Sequence, residues 1–243
     1  MKNNEKLDNA LKAISKDRQR TNMLRHFEQR AIAYLVQRMP LFVSSNILTG
    51  IGFLGNLILA LSFVFGAIYS PYFLLFGIIG SFINWFGDSL DGRLAYYRNK
   101  PRKWYGFTLD IIVDFVGIIF IGLGFMFYLE TQWLVVGYAF IVMYNLEMVI
   151  ALLRYKITNQ YSIDSGFLGP TEVRIAICIA LIIEVLFNGL FLYFAILSTL
   201  ILFIANIKDI LQIIKLADLR DKEEKTYFWI IVEKCFKAKI KVI

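Results

Sequence analysis

Four aspartates stand in two close pairs within strongly apolar stretches of the sequence. The first pair, Asp88 and Asp91, is three residues apart, and the second, Asp110 and Asp114, is four residues apart. On helices, these spacings place both members of a pair on one face. Ionisable side chains inside apolar segments of membrane length are costly and by default indicate function. If the pairs converge, four carboxylates cannot share a partly dry volume while all charged unless cations neutralise them.

The residues around the aspartates narrow the kind of cation and the kind of substrate. Carboxylate oxygens favour Mg²⁺, Mn²⁺ or Ca²⁺, and no histidine or cysteine accompanies them, which argues against zinc. Gly92 directly follows the second aspartate and Ala95 lies about one turn further on, so a ligand can approach the backbone closely there. The basic stretch at 93–103 suits an anionic substrate such as a phosphate. The alternative is that the aspartates only pair with nearby arginines at a helix end.

The elements that must position these residues are membrane-spanning helices. Of the 243 residues, 58% are hydrophobic, which is more than a soluble domain carries. Apolar runs of about 20 residues predict six spans, near residues 46–69, 72–95, 107–129, 133–153, 171–187 and 191–214. The second and third spans form an antiparallel hairpin, so both aspartate pairs can meet at the same end.

Three segments follow from this reading of the chain. Residues 1–40 are predicted to be a cytoplasmic N-terminal segment, in which 21–38 form an amphipathic helix on the membrane surface. Residues 41–216 are predicted to be the six-helix membrane domain. Residues 217–243 are predicted to be a basic cytoplasmic tail, either lying along the interface or solvated.

The distribution of basic residues predicts the orientation. Of 26 lysines and arginines, nine precede the first span, five lie between the second and third, three lie between the fourth and fifth, and nine follow Ile207. The loops at 67–71, 130–132 and 188–190 contain none. The positive-inside rule therefore predicts a multi-pass protein with both termini and the aspartates at the cytoplasmic side. We interpret the net charge of +7 as an attraction to membrane lipids and not to nucleic acid.

The aspartates and their neighbours resemble the signature of the CDP-alcohol phosphatidyltransferases, D-x2-D-G-x2-A-R-x8-G-x3-D-x3-D. Seven fixed positions of that signature recur here, at Asp88, Asp91, Gly92, Ala95, Gly106, Asp110 and Asp114. This sequence differs from the signature in two features. Tyr96 stands in place of the arginine, and the spacer is one residue longer. We expect Arg98 to supply the missing positive charge. The segment 45–49 is also similar to the Pro-Asn-x-x-Thr start of the family's first helix, and 166–175 resembles part of the choline and ethanolamine phosphotransferase branch.

The resemblance implies a fold, a reaction and a set of residue roles. It implies six helices behind a surface helix, a homodimer, and transfer of a substituted phosphate from a CDP-linked donor to a lipid or small alcohol with release of CMP. Asp88, Asp91 and Asp110 would hold one or two Mg²⁺ or Mn²⁺ ions, while Asp114 would complete the metal site and act as the base. The expected donor contacts are Asn46, Thr49, Gly92, Ala95, Arg98 and Gly106.

Three further residues are candidates for binding the acceptor or a lipid headgroup. Arg154 and Arg174 flank the loop between the fourth and fifth spans, and anchoring by the positive-inside rule is the alternative for both. For Glu172, the alternative is favourable interaction with a helix N-terminus.

Two other classes of function stay open at this point. A divalent-cation transporter would use the same carboxylates, although transporters usually place their site near the midplane and contain internal repeats. An inactive family member acting as a scaffold is the third hypothesis, and Tyr96 is its support. Whether the lipid is donor or acceptor also stays open, with 166–175 favouring a lipid acceptor.

Overall fold

The computed structural model describes residues 25–158 and 170–240, and within them it contains seven α-helices and no strand. The helices are α1 (Arg25–Arg38), α2 (Ser45–Ile68), α3 (Leu74–Tyr97), α4 (Lys103–Tyr128), α5 (Leu134–Thr158), α6 (Pro170–Leu186) and α7 (Leu190–Ile240). Single 3₁₀ turns, Pro71–Phe73 and Thr131–Trp133, precede α3 and α5. Residues 21–24 of the expected surface helix and 166–169 of the phosphotransferase-like segment lie outside the described residues.

Five of the described helical segments are long and apolar enough to cross a membrane. They are Ser45–Ile68, Pro71–Tyr97, Lys103–Tyr128, Thr131–Thr158 and Leu190–Thr226. The all-α class is therefore confirmed for the described residues, and their several long apolar helices indicate a multi-pass membrane protein. The fifth of the six predicted spans corresponds to α6, whose 17 residues extend about 25 Å, less than the roughly 30 Å of a bilayer core.

The sixth predicted span and residues 217–240 of the basic tail belong to one helix. The 51 residues of α7 extend about 75 Å without a break at the predicted boundary, residue 216. Along its length α7 contacts α5, since Asn206 Nδ2 donates to the carbonyl of Met143 at 2.9 Å. Further on, Arg220 donates to the carbonyls of Lys156 and Ile157 at 2.8 and 2.6 Å. These carbonyls end α5 and lack partners within their own helix, so Arg220 caps it.

The apolar stripe of α1 contacts protein, where the sequence predicted a helix lying on lipid. Ile32, Ala33 and Val36 are fully or almost fully buried against Leu90 and Leu94 at the end of α3. The opposite face remains exposed and carries aromatic side chains. This packing fastens α1 to the end of the bundle where α2 begins and α3 ends, which we call the site end.

Close backbone contact joins α2 to α3. A Cβ atom on Gly55 would lie 2.3 Å from the backbone nitrogen of Asn84 and 2.5 Å from the carbonyl oxygen of Gly80. A Cβ on Gly87 would similarly lie 2.3 Å from the nitrogen of Gly52. Small residues at membrane helix interfaces allow this approach, in which dispersion and weak hydrogen bonds replace the hydrophobic effect.

The same device joins α4 to α2. A Cβ on Gly117 would lie 2.2 Å from the side-chain nitrogen of Asn56, and one on Gly124 would lie 2.4 Å from the carbonyl oxygen of Ala60. The three helices that carry the aspartates and Thr49 thus form one tightly apposed unit.

A buried carboxylate holds the opposite end of the bundle. Glu184 is 1% exposed and accepts hydrogen bonds from the Tyr128 hydroxyl at 2.7 Å and from the backbone of Gly189 and Phe191 at 2.9 and 2.7 Å. Gly189 has a φ of 94°, which glycine adopts without strain. Glu184 therefore caps the first turn of α7 and ties the α6–α7 turn to the end of α4.

The Gly55→Ala variant is expected to be less stable than the wild type. Its new methyl group would meet the α3 backbone, which cannot move aside without separating the helices, and overpacking of this kind costs roughly 1–3 kcal/mol. Thermal unfolding in detergent should show a Tm several degrees lower. Gly50→Ala is the matched control, since nothing lies within 4 Å of a Cβ there, and it should melt at or slightly above the wild-type temperature. Equal melting of both variants would contradict the close contact.

Candidate active site

A cavity opens at the site end, between the start of α2, the end of α3 and the start of α4. It is lined by Thr49, Gly52, Phe53, Asn84, Asp88, Asp91, Asp110, Val113 and Asp114. All four aspartates of the two pairs therefore face one space, as their helical spacing indicated. Buried Asn84 braces the wall by donating to the carbonyl of Gly52 at 3.1 Å.

Three of the aspartates form a group with the dimensions of a metal site. Asp88, Asp110 and Asp114 are half-buried and each offers a carboxylate oxygen, with these atoms all within 4.8 Å of one another. Ions such as Mg²⁺ and Ca²⁺ bind oxygens at about 2.0–2.6 Å, so opposite ligands of one ion lie roughly 4–5 Å apart. An all-carboxylate set of this size fits a hard divalent cation.

Asp91 lies on the same cavity wall but outside that group of three. Its Oδ2 accepts a hydrogen bond from the Thr49 hydroxyl at 2.7 Å, and its Oδ1 accepts one from the backbone of Gly92. The four-aspartate set predicted from the sequence is thus three convergent carboxylates with a fourth that α2 holds beside them.

Arg174 reaches this site from α6. Its guanidinium donates to Asp88 Oδ2 at 2.5 Å, and the two side chains are only 20% and 23% exposed. Tyr144 of α5 lies close enough to this pair and to Asp114 for their charges to act on its hydroxyl. The structure thus places Arg174 in contact with a signature aspartate, while its expected role in binding the acceptor or a lipid headgroup stays a prediction. Sequence reasoning missed Tyr144. Only its place about one turn before Glu147 distinguishes it from the other aromatic residues.

A second polar group lies where α2 and α4 begin. Arg102 donates to Asn46 Oδ1 at 2.5 Å, and its guanidinium lies 4.4 Å from the ring centre of Tyr105. Asn46 in turn donates to the Tyr105 hydroxyl at 3.4 Å. Asn46 precedes Thr49 by three residues and therefore lies on the same face of α2. Sequence reasoning missed Arg102 and Tyr105, although both lie in the spacer that is one residue longer than the signature.

The small residues of the signature border open space. A Cβ atom added to Gly92 or Gly106 would have no heavy atom within 4 Å. Ala95 is half-buried. None of the three is among the residues that line the cavity between the carboxylates.

Two expected site arginines have other partners. Arg98, which we expect to supply the charge missing at Tyr96, donates to the carbonyls of Val43, Met39 and Pro40 and so braces the loop between α1 and α2. Arg154 pairs with Asp209 of α7 at 3.1 Å. Glu172 lies in the first turn of α6, two residues before Arg174.

Comparison with known families agrees with this geometry. The model of the CDP-alcohol phosphatidyltransferase family matches residues 42–205, about two thirds of the chain. The match contains every residue of the carboxylate cavity together with Arg174. No individually curated protein matches the chain significantly. The matched length and the signature aspartates together show that the chain belongs to the CDP-alcohol phosphatidyltransferase family.

Proposed function

We propose that this protein moves a substituted phosphate from a CDP-linked donor to an acceptor alcohol and releases CMP, as a step of phospholipid biosynthesis. Family membership supports a phosphate-group transferase of phospholipid synthesis. The observation that carries the reaction is the convergence of Asp88, Asp110 and Asp114 within 4.8 Å inside an apolar bundle. Such a group is costly to maintain in a membrane protein unless it binds cations.

The carboxylates are the proposed metal ligands. Asp88, Asp110 and Asp114 would hold Mg²⁺ or Mn²⁺. Asp91 would be the fourth carboxylate, and its Oδ2 would become available to an ion when the hydrogen bond from the Thr49 hydroxyl breaks. A divalent ion bound there would neutralise the diphosphate and stabilise the leaving CMP.

Asp114 is the proposed base. It would accept the proton of the acceptor hydroxyl while the acceptor oxygen forms a bond to the transferred phosphorus. The bond from that phosphorus to the phosphate oxygen of CMP breaks in the same displacement, and the electron pair leaves with CMP. Asp114 lies one turn beyond Asp110 on α4, and Asp88 lines the same cavity from α3. Both helices of the α3–α4 hairpin would therefore contribute to the reaction.

The donor is proposed to lie between the carboxylates and the mouth formed by α2 and α4. Asn46 and Thr49 are its polar contacts from α2, and the open space at Gly92 and Gly106 is wide enough for a nucleotide to approach the backbone. Ala95 keeps its proposed place in the donor site. Arg98 leaves this set, because the loop carbonyls occupy its guanidinium, and Arg102 takes its place beside Asn46. Arg174 and Glu172 remain the acceptor-side candidates, without Arg154.

We also propose six crossings, with α6 as a short fifth span. Arg174 near its start contacts Asp88 at the site end, and Glu184 near its end contacts Tyr128 at the opposite end, which supports a helix running across the bundle. The basic cluster between α3 and α4 supports a cytoplasmic site end. A lipid substrate in the leaflet and a soluble substrate can both reach such a position. A homodimer stays a proposal from the family resemblance.

Mn²⁺ is expected to stabilise the folded protein, because only the folded state brings the three carboxylates together. At a hundredfold excess over Kd the gain is about 2.7 kcal/mol. Thermal unfolding in detergent should therefore show a higher Tm with Mn²⁺, reversed by a chelator. Asp110→Asn should lose the shift, whereas Glu130→Gln, an exposed carboxylate outside the cavity, should keep it. An undiminished shift in Asp110→Asn would remove the basis of the proposed metal site.

CMP release by purified protein tests the reaction itself. The assay offers CDP-diacylglycerol with small alcohols in one arm, and CDP-choline or CDP-ethanolamine with diacylglycerol in the other, with Mg²⁺ or Mn²⁺. One arm should release CMP, and Asp114→Asn should lower that rate at least about 100-fold. Asp218→Asn, an exposed carboxylate paired with Lys222, is the control and should retain the wild-type rate.

Two other results would replace the proposed reaction. Mn²⁺ binding without CMP release from any pair would indicate an inactive scaffold. Uptake of Mn²⁺ into vesicles that contain the protein, without CMP release, would indicate a transporter.

A further inference from the structure

A positive side chain is built into the carboxylate site. Arg174 donates to Asp88 Oδ2 at 2.5 Å, and Asp114 of the same cavity lies close enough for its charge to act on the guanidinium. The helix that carries it is well anchored, since Ala180, Leu181 and Glu184 of α6 are at least 96% buried. The guanidinium is therefore held against the carboxylates by the packing of α6 and is more than a mobile surface charge.

Arg174 opposes the binding of a divalent ion. It competes for one oxygen of a proposed metal ligand, and its charge repels any cation bound between Asp88 and Asp114. In a partly buried site, this repulsion is screened much less than at an exposed surface. Considered from metal binding alone, an arginine in contact with the ligand set is therefore unfavourable.

An anionic substrate reverses that effect. Guanidinium presents several N–H donors in one plane, which suits the non-bridging oxygens of a phosphate. A phosphate that lies against the ion would bring such oxygens to the side of the cavity where α6 packs against α3. The ion and Arg174 would then attract the same anion from two directions, and their mutual repulsion would be offset.

The other arginines of the region are placed differently. Tyr96 occupies the position of the signature arginine, Arg98 is engaged with loop carbonyls, and Arg102 lies at the mouth on Asn46. Arg174 hydrogen bonds directly to a signature aspartate, and it comes from a helix outside the signature.

We propose that Arg174 makes the binding of the divalent ion and of the phosphate group cooperative, weakening the ion alone and binding a non-bridging oxygen of the transferred phosphate once both are present. The inference rests on the proposed function and reassigns Arg174 from the acceptor side to the transferred phosphate of the donor. On this proposal, a residue of α6 determines how tightly the site binds its metal ion when no donor is present.

Binding measurements with Mn²⁺ and CDP test this role without relying on turnover. CDP carries the diphosphate of the donor but lacks the alcohol that is esterified to the transferred phosphate. Free Mn²⁺ is followed by electron paramagnetic resonance with purified wild type, Arg174→Gln and Arg174→Lys, with and without CDP. Arg220→Gln is the matched control, because Arg220 caps α5 far from the carboxylates.

In the wild type, CDP should tighten Mn²⁺ binding by at least about tenfold, in line with charge-assisted hydrogen bonds. In Arg174→Gln, Mn²⁺ alone should bind about tenfold more tightly, while CDP at saturating Mn²⁺ should bind about tenfold more weakly. General damage to the site would weaken both, so the opposite signs identify the proposed role. Arg174→Lys keeps the charge and should show both changes to a smaller extent. This variant also allows the test to be made if Arg174→Gln does not fold. Arg220→Gln should match the wild type.

Two results would overturn the inference. Mn²⁺ and CDP binding by the wild type, with Mn²⁺ affinity unchanged or lowered in both Arg174 variants, would refute Arg174 alone and leave the proposed function intact. Failure of the wild type to bind either probe would refute the proposed function together with this inference.

Discussion

The contact between the backbones of α2 and α3 sets the geometry on which the site depends. Gly52 faces the backbone nitrogen of Asp88, and Gly87 lies against the start of the same turn of α2. A side chain at either position would push α3 outward and carry its carboxylates away from α4. The glycines therefore do more than stabilise the bundle, because they determine the distance between the carboxylates of α3 and those of α4. Helices apposed by backbone contact also have few alternative packings, which keeps that distance constant.

Helices with different roles meet around this rigid unit. The apposed group α2–α4 supplies the carboxylates and the hydroxyl of Thr49, all within one hairpin and its neighbour. The compensating positive charge comes from α6, which is joined to the rest by the α6–α7 turn and Glu184 at the far end. Charge balance in the cavity thus depends on a helix that does not belong to the unit. A change in the packing of α6 would therefore move the cationic partner without altering the spacing of the carboxylates on α3 and α4.

Local signals in the sequence made the carboxylate part of the site predictable, whereas residues that tertiary contacts position could not be predicted. The spacing of Asp88, Asp91, Asp110 and Asp114 and the length of the apolar runs depend on neighbouring residues, so the hairpin and its cavity followed from the sequence. The choice among Arg98, Arg154 and Arg174 did not, because it depends on how α6 packs against a residue 86 positions away. The stripe of α1 had the same limitation, since amphipathicity does not distinguish a lipid surface from Leu90 and Leu94. The sequence predicts a basic tail from residue 217, and α7 continues into it because charged residues continue a helix as readily as they end one.

The long helix α7 keeps a constant register with α5. Asn206 contacts the carbonyl of Met143 and Arg220 contacts that of Ile157, so both pairs are offset by the same number of residues over two heptads. Ile213, midway between them, is 6% exposed. A straight α-helix drifts by about 20° in each heptad, and a contact line that repeats every seven residues therefore requires a left-handed supercoil. The matching contacts of α7 and α5 follow this seven-residue pattern, which is typical of a parallel coiled coil and keeps the charged extension of α7 beside α5 to the last turn of that helix.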